Sequence, residues 1–132
     1  MNAVAKRAES SPLSGLRVLV VEDMFLIAED IADQLSEWGC EVVGPNRHVK
    51  GALMSIAECR IDGALLDVNL DGETSFEIAS TLASQDTPFI FMTGYDSEKM
   101  FPVEFKSAPK LNKPVIAEAL QAMMRQHFLN KP

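Results

Sequence analysis

Three acids, a hydroxyl and an amine stand at the ends of short hydrophobic runs in this chain, and those groups together suit a divalent cation beside a phosphoryl group. Residues 18–21 lead into Glu22 and Asp23, residues 63–66 into Asp67, and residues 89–92 into Thr93. The segment ending at Leu111 and Asn112 leads into Lys113-Pro114. Carboxylates are hard oxygen donors of the kind Mg²⁺ accepts while it keeps several waters. Two like charges about 4 Å apart repel by about 4 kcal/mol at an effective dielectric near 20, so three carboxylates in one crevice call for a compensating cation. Lys113 supplies a point positive charge and Thr93 a hydroxyl donor for phosphoryl oxygens. Backbone amides beside Asp67 and at Gly94 would add donors. With a metal bound, Asp67 is suited to act as a carboxylate nucleophile and become an aspartyl phosphate. Singly, each residue has an ordinary reading: Asp23 a helix cap, Asp67 a loop start, Thr93 a strand residue, Lys113 a solvated charge. Their shared place at strand ends argues for a site.

The elements that must position these groups alternate in kind, which points to an α/β fold with a parallel sheet. Arg17–Val21 reads as a buried strand. It is followed by a helix with apolar positions at Ile27, Ala28, Ile31, Leu35 and Trp38, capped by Asp23 and ended by Gly39. Residues 41–44 form a second strand and 49–59 a helix. Residues 62–67 form a third strand, closed by an Asp71-Gly72 turn, and 73–84 a helix. Residues 88–93 form a fourth strand. Pro102 and Pro109 interrupt the stretch 94–109, and 115–128 is a last helix. Its stripe of Ile116, Leu120, Met123, Met124 and Phe128 reads as core, with partner contact through Met124 or Phe128 as the alternative. Five strands and five flanking helices predict a doubly wound sheet. In the flavodoxin-like order 2-1-3-4-5 the ligand crevice lies between strands one and three, which makes Glu22, Asp23 and Asp67 neighbours.

Composition bounds the function. At 132 residues the chain is long enough for one domain, expected over residues 16–130 after a flexible tail of residues 1–15. With 47% apolar residues, its uninterrupted runs still fall short of the roughly 18–20 residues of a membrane span. The net charge of −7 and scattered basic residues argue against nucleic acid as a partner. Cys40 and Cys59 lack metal-ligand spacing and read as free thiols of a cytoplasmic protein. His48 and His127 are isolated and carry no assigned role.

The acidic pair Glu22-Asp23, Asp67 within Leu65-Leu66-Asp67-Val68-Asn69, Thr93-Gly94 and Lys113-Pro114 together resemble the signature of receiver domains of bacterial two-component response regulators. The resemblance implies that Asp67 is the phosphoacceptor. It also implies that Asp23, with Glu22 largely through water, holds Mg²⁺ (or Mn²⁺), and that the backbone carbonyl of Asn69 completes the metal site. Thr93, Gly94 and Lys113 would bind the phosphoryl group and report its arrival. The implied phosphodonor is a sensor histidine kinase or phosphotransfer protein, and the output a downstream protein of undetermined identity. A monomer or weak dimer is expected. The run Pro88-Phe89-Ile90-Phe91-Met92-Thr93-Gly94-Tyr95 is similar to the FAT GUY receivers, with Met92 in the alanine position. These are typically alphaproteobacterial and often stand alone, so a single-domain interaction module, phosphorelay intermediate or phosphate sink is expected.

Two positions depart from the common receiver pattern. Three residues before the lysine, where most receivers carry an aromatic ring, stands Lys110, so the readout is expected to run through a mobile segment 94–109 instead. Tyr95 has two readings: a ring that reaches over the site and slows water attack on the aspartyl phosphate, or a surface aromatic in a loop. Two other readings compete: a degenerate receiver used for docking, and an aspartyl-phosphate phosphatase. The second fits poorly, because haloacid-dehalogenase-type enzymes place their paired aspartates after the first strand.

Overall fold

A computed structural model describes residues 11–94 and 97–129. β1 (Arg17–Val21), β2 (Glu41–Asn46), β3 (Gly63–Asp67), β4 (Phe89–Thr93) and β5 (Lys110–Asn112) form one sheet in the order β2-β1-β3-β4-β5. Every neighbouring pair in it is parallel. The expected topology is borne out, and with it the crevice between β1 and β3.

Alternation along the strands divides the core into two layers. Leu19, Val21, Leu66 and Phe91 face one side, against Ala52 and Ile56 of α2 (Val49–Glu58) and Ile78 and Leu82 of α3 (Phe76–Ser84). Val18, Val20, Leu65, Ile90 and Met92 face the other, against Ile31 and Leu35 of α1 (Phe25–Glu37) and Leu120, Met124 and Phe128 of α4 (Ala117–Phe128). Burial of Met124 and Phe128 rules out partner contact through them; on that stripe Ile116 is the exposed residue, at 58%.

Four α-helices, not five, flank the sheet among the described residues. In place of the fifth are single 3₁₀ turns at Ser97–Met100 and Val103–Phe105. Pro102, without an N–H, separates them in an extended conformation with ψ 161°. Phe101 and Phe105 then plug the core, Phe101 edge-on to Phe91 at 4.9 Å between centroids. These two rings anchor residues 101–105 on the core, while Tyr95 and Asp96 lie outside the described residues.

α3 begins at Phe76 rather than residue 73, because Asn69–Leu70 pairs antiparallel with Glu73–Thr74. The joining residues Asp71 and Gly72 both have positive φ, 49° and 92°, as a two-residue hairpin turn requires. At the other end of the molecule the packed body starts before Leu16. Leu13 is fully buried and Gly15 N–H donates to the Gly39 carbonyl at 2.9 Å, so residues 11–15 are not a free tail. Residues 1–10 lie outside the described part. No helix among the described residues is long and apolar enough to cross a membrane. Both cysteines are free. Burial pushes the Cys40 thiol up to about 11, which leaves it unreactive.

Candidate functional site

The carboxyl end of β1 delivers Glu22 and Asp23, that of β3 delivers Asp67, and that of β4 delivers Thr93; Lys113 follows β5. Oxygens of Glu22, Asp23 and Asp67 all lie within 4.8 Å of one another. Lys113 Nζ reaches into this group, 2.8 Å from Glu22 Oε1 and 3.1 Å from Asp67 Oδ2. The Glu22 contact is an ion pair outside hydrogen-bond geometry, so Oε1 has charge compensation but no directed partner. Glu22 is fully buried and Asp67 and Thr93 nearly so.

Glu22 has a second task. Its Oε2 accepts the Met24 N–H at 3.1 Å, at the start of α1. The N-cap residue is Met24 and no side chain caps it, so the cap expected of Asp23 is not formed. The Asp23 carboxylate is instead part of the acidic cluster. On the backbone side, Arg47 Nε donates to the Asp23 carbonyl at 3.3 Å.

The sheet register brings Thr93 and Lys113 to the acids. Asp67 pairs with Met92, one residue short of Thr93, and Lys113 N–H donates to the Thr93 carbonyl at 2.9 Å. Thr93, Gly94, Asn112 and Lys113 border a cavity of about 300 Å³. Into it the Thr93 hydroxyl donates to Asn112 Oδ1 at 3.0 Å. Of the expected site residues, Glu22, Asp23, Asp67 and Lys113 therefore converge, Thr93 and Gly94 border them, and Asn69 opens the adjoining hairpin. Tyr95 lies outside the described residues.

Residues 18–125 match the response regulator receiver domain family. The chain belongs to that family. Its curated relatives include the sensory transduction protein LytT of Bacillus subtilis (strain 168), 29% identical over 115 residues that make up 85% of this chain and 48% of the relative. The chain thus spans about half the length of the curated relatives it matches. Among solved structures, SdrG from Sphingomonas melonis Fr1 is 38% identical with a TM-score of 0.72, covering 82% of this chain and 92% of SdrG. The response regulator PhyR from Brucella abortus is 25% identical with a TM-score of 0.74, covering 96% of this chain and 53% of PhyR.

Electrostatics of the receiver site follow from this crowding. Burial, then the hydrogen bond to Glu22 and its charge, push the Asp67 carboxyl up to about 7, with Lys113 pulling the other way. Burial alone would lower the Lys113 ammonium; the close approach of Glu22 and the charges of Asp67 and Glu22 outweigh it and raise the group. One lysine against three acids leaves the cluster short of positive charge. Together with the undirected Glu22 Oε1, this is the donor set a hard divalent cation fits.

Lys110 does not reach this cluster. Its Nζ donates to the carbonyls of Lys106, Ala108 and Phe105 at 2.7, 3.0 and 3.2 Å and sits 4.5 Å over the Phe101 ring. A cation thus fastens the 3₁₀ segment to β5 at the position where most receivers carry a ring. Sequence reasoning missed Arg47 and Asn112 as neighbours of the site. Asn112 ends an apolar run like the other site residues, but its place opposite Thr93 is set by the register of β4 and β5, which the sequence does not show.

Proposed function

We propose that this receiver accepts a phosphoryl group on Asp67 from a phosphohistidine of a sensor kinase or phosphotransfer protein. Its output would be a change in which downstream protein it binds. The observation that carries the reading is the convergence of three carboxylates within 4.8 Å, with Lys113 bridging Glu22 and Asp67. Asp23, Asp67 and the Asn69 carbonyl, with Glu22 mostly through water, would hold Mg²⁺. When bound, the ion would neutralise phosphoryl charge and favour the ionised Asp67.

The chain's own groups divide the remaining work. Lys113 holds Asp67 Oδ2 and offers its ammonium to the incoming phosphoryl oxygens. Thr93 supplies a hydroxyl donor at the rim, and Gly94 a backbone position beside it. The exposed Met24, Phe25 and Leu26, at 58, 65 and 75%, follow directly on Glu22-Asp23 and suit the docking of the phosphodonor protein. A cytoplasmic place follows from this donor and from the free thiols.

Incubation with a small phosphodonor and Mg²⁺, followed by intact-mass analysis, tests the proposal. The expected result is a single phosphoryl adduct, not formed when Mg²⁺ is chelated beforehand and absent in Asp67→Ala. An adduct that persists in the variant overturns it. Multiple turnover of a generic phosphate ester would point instead to a phosphatase.

A further inference from the structure

The Thr93 hydroxyl carries one proton and can donate to one acceptor at a time. It now donates to Asn112 Oδ1 at 3.0 Å. The backbones are fixed on both sides: Thr93 and Asn112 are register partners across β4 and β5, and Lys113 N–H donates to the Thr93 carbonyl at 2.9 Å. Only the side chains are free to exchange, beside a cavity of about 300 Å³ that Lys113 also borders.

We propose that Asn112 is a positioning residue that holds the Thr93 hydroxyl until a phosphoryl group on Asp67 takes it over. The inference rests on the receiver reading above. An anionic phosphoryl oxygen is a stronger acceptor than a neutral carboxamide, so the exchange runs toward the phosphoryl group. Thr93 is 4% exposed, whereas Asn112 is at the surface. Once released, the carboxamide is met by water, and no buried polar group is left unpaired. The exchange therefore reorients an exposed polar group one residue before Lys113. This is a readout that needs no ring at position 110, where Lys110 is tied to three carbonyls.

Beryllofluoride with Mg²⁺, a phosphoryl mimic, tests this by titration of four proteins: wild type, Asn112→Ala, Thr93→Ala and the double variant. Asn112→Ala frees the hydroxyl in advance and should bind about three- to tenfold tighter than wild type. In the Thr93→Ala background the same change should have no effect, which a merely structural role for Asn112 would not produce. By NMR the Asn112 carboxamide resonances of the wild type should move on binding. In the absence of any metal, Asn112→Ala should already shift the Thr93 side-chain resonances. Wild-type binding with Asn112→Ala unchanged or weaker overturns the proposal and leaves the receiver reading intact. An unmoved Asn112 carboxamide, or metal-free Thr93 resonances identical in the two proteins, overturns it likewise. Failure of the wild type to bind the mimic overturns the receiver reading and this inference with it.

Discussion

Asp67 has a carboxyl whose burial and neighbour Glu22 hold a proton on it to about 7, against an ordinary value of 3.8. An acid raised in this way binds its proton more tightly folded than unfolded. Its contribution to stability is complete below 3.8, where both states are protonated, and is lost as pH climbs through about 7. The metal-free protein should therefore lose stability across that interval, while Asp67→Asn should show a flatter profile and a higher denaturation midpoint at about pH 8. Denaturant melts of both proteins across the range check this, and a wild-type profile no steeper than the variant's contradicts it. Adding Mg²⁺ at the upper end should restore the wild type selectively, because the ionised carboxylates are its ligands. At this scale most of the site was legible: Glu22, Asp23, Asp67, Thr93 and Lys113 each interrupt an apolar run at its end. The pairing of Thr93 with Asn112 was not, since it depends on which strands are neighbours and in what register. The two tasks of Glu22 were hidden too, because a helix start and a charged cluster read alike in sequence.

Elements were legible wherever one period dominates. β1, β3 and β4 are short apolar runs, and Gly39 ends α1 with φ 86°, in the left-handed region that glycine favours at a helix end. The stretch between β4 and β5 was not, because its order comes from rings docking at a distance and from one lysine. Lys110→Met leaves the carbonyls of Phe105, Lys106 and Ala108 without that donor. It should cost about 1–3 kcal/mol and speed amide exchange across residues 103–108; unchanged exchange there would contradict the fastening role. β3 and α4 meet at Gly63, where an added Cβ would lie 2.6 Å from the buried Phe128 ring. Gly63→Ala should therefore destabilise the fold by about 1–3 kcal/mol, read as a lower denaturant midpoint. A midpoint equal to wild type would mean that α4 shifts freely against the sheet. The hairpin at residues 69–74 explains why the third helix starts late: its strands pair with each other before α3 can begin.

For the whole molecule, the parallel sheet with order β2-β1-β3-β4-β5 explains why acids from distant parts of the chain converge on one edge. Alternation of strands and helices was enough to anticipate that order, whereas the replacement of one helix by two 3₁₀ turns was not. The exposed Met24, Phe25 and Leu26 adjoin the site from outside. Phe25→Asp should slow phosphoryl transfer from a histidine phosphotransfer domain on the order of tenfold while leaving transfer from a small phosphodonor unaltered. Equal slowing with both donors would place the defect in the site rather than in docking. The central claim, that this chain carries its phosphoryl group on Asp67, is tested most directly by locating the modified residue. Borohydride reduction of the phosphorylated protein converts an aspartyl phosphate to homoserine, which peptide mapping by mass spectrometry assigns to a position. The account predicts homoserine at position 67, dependent on both phosphodonor and Mg²⁺. Homoserine at another aspartate, or none in protein that carries the adduct, would contradict it.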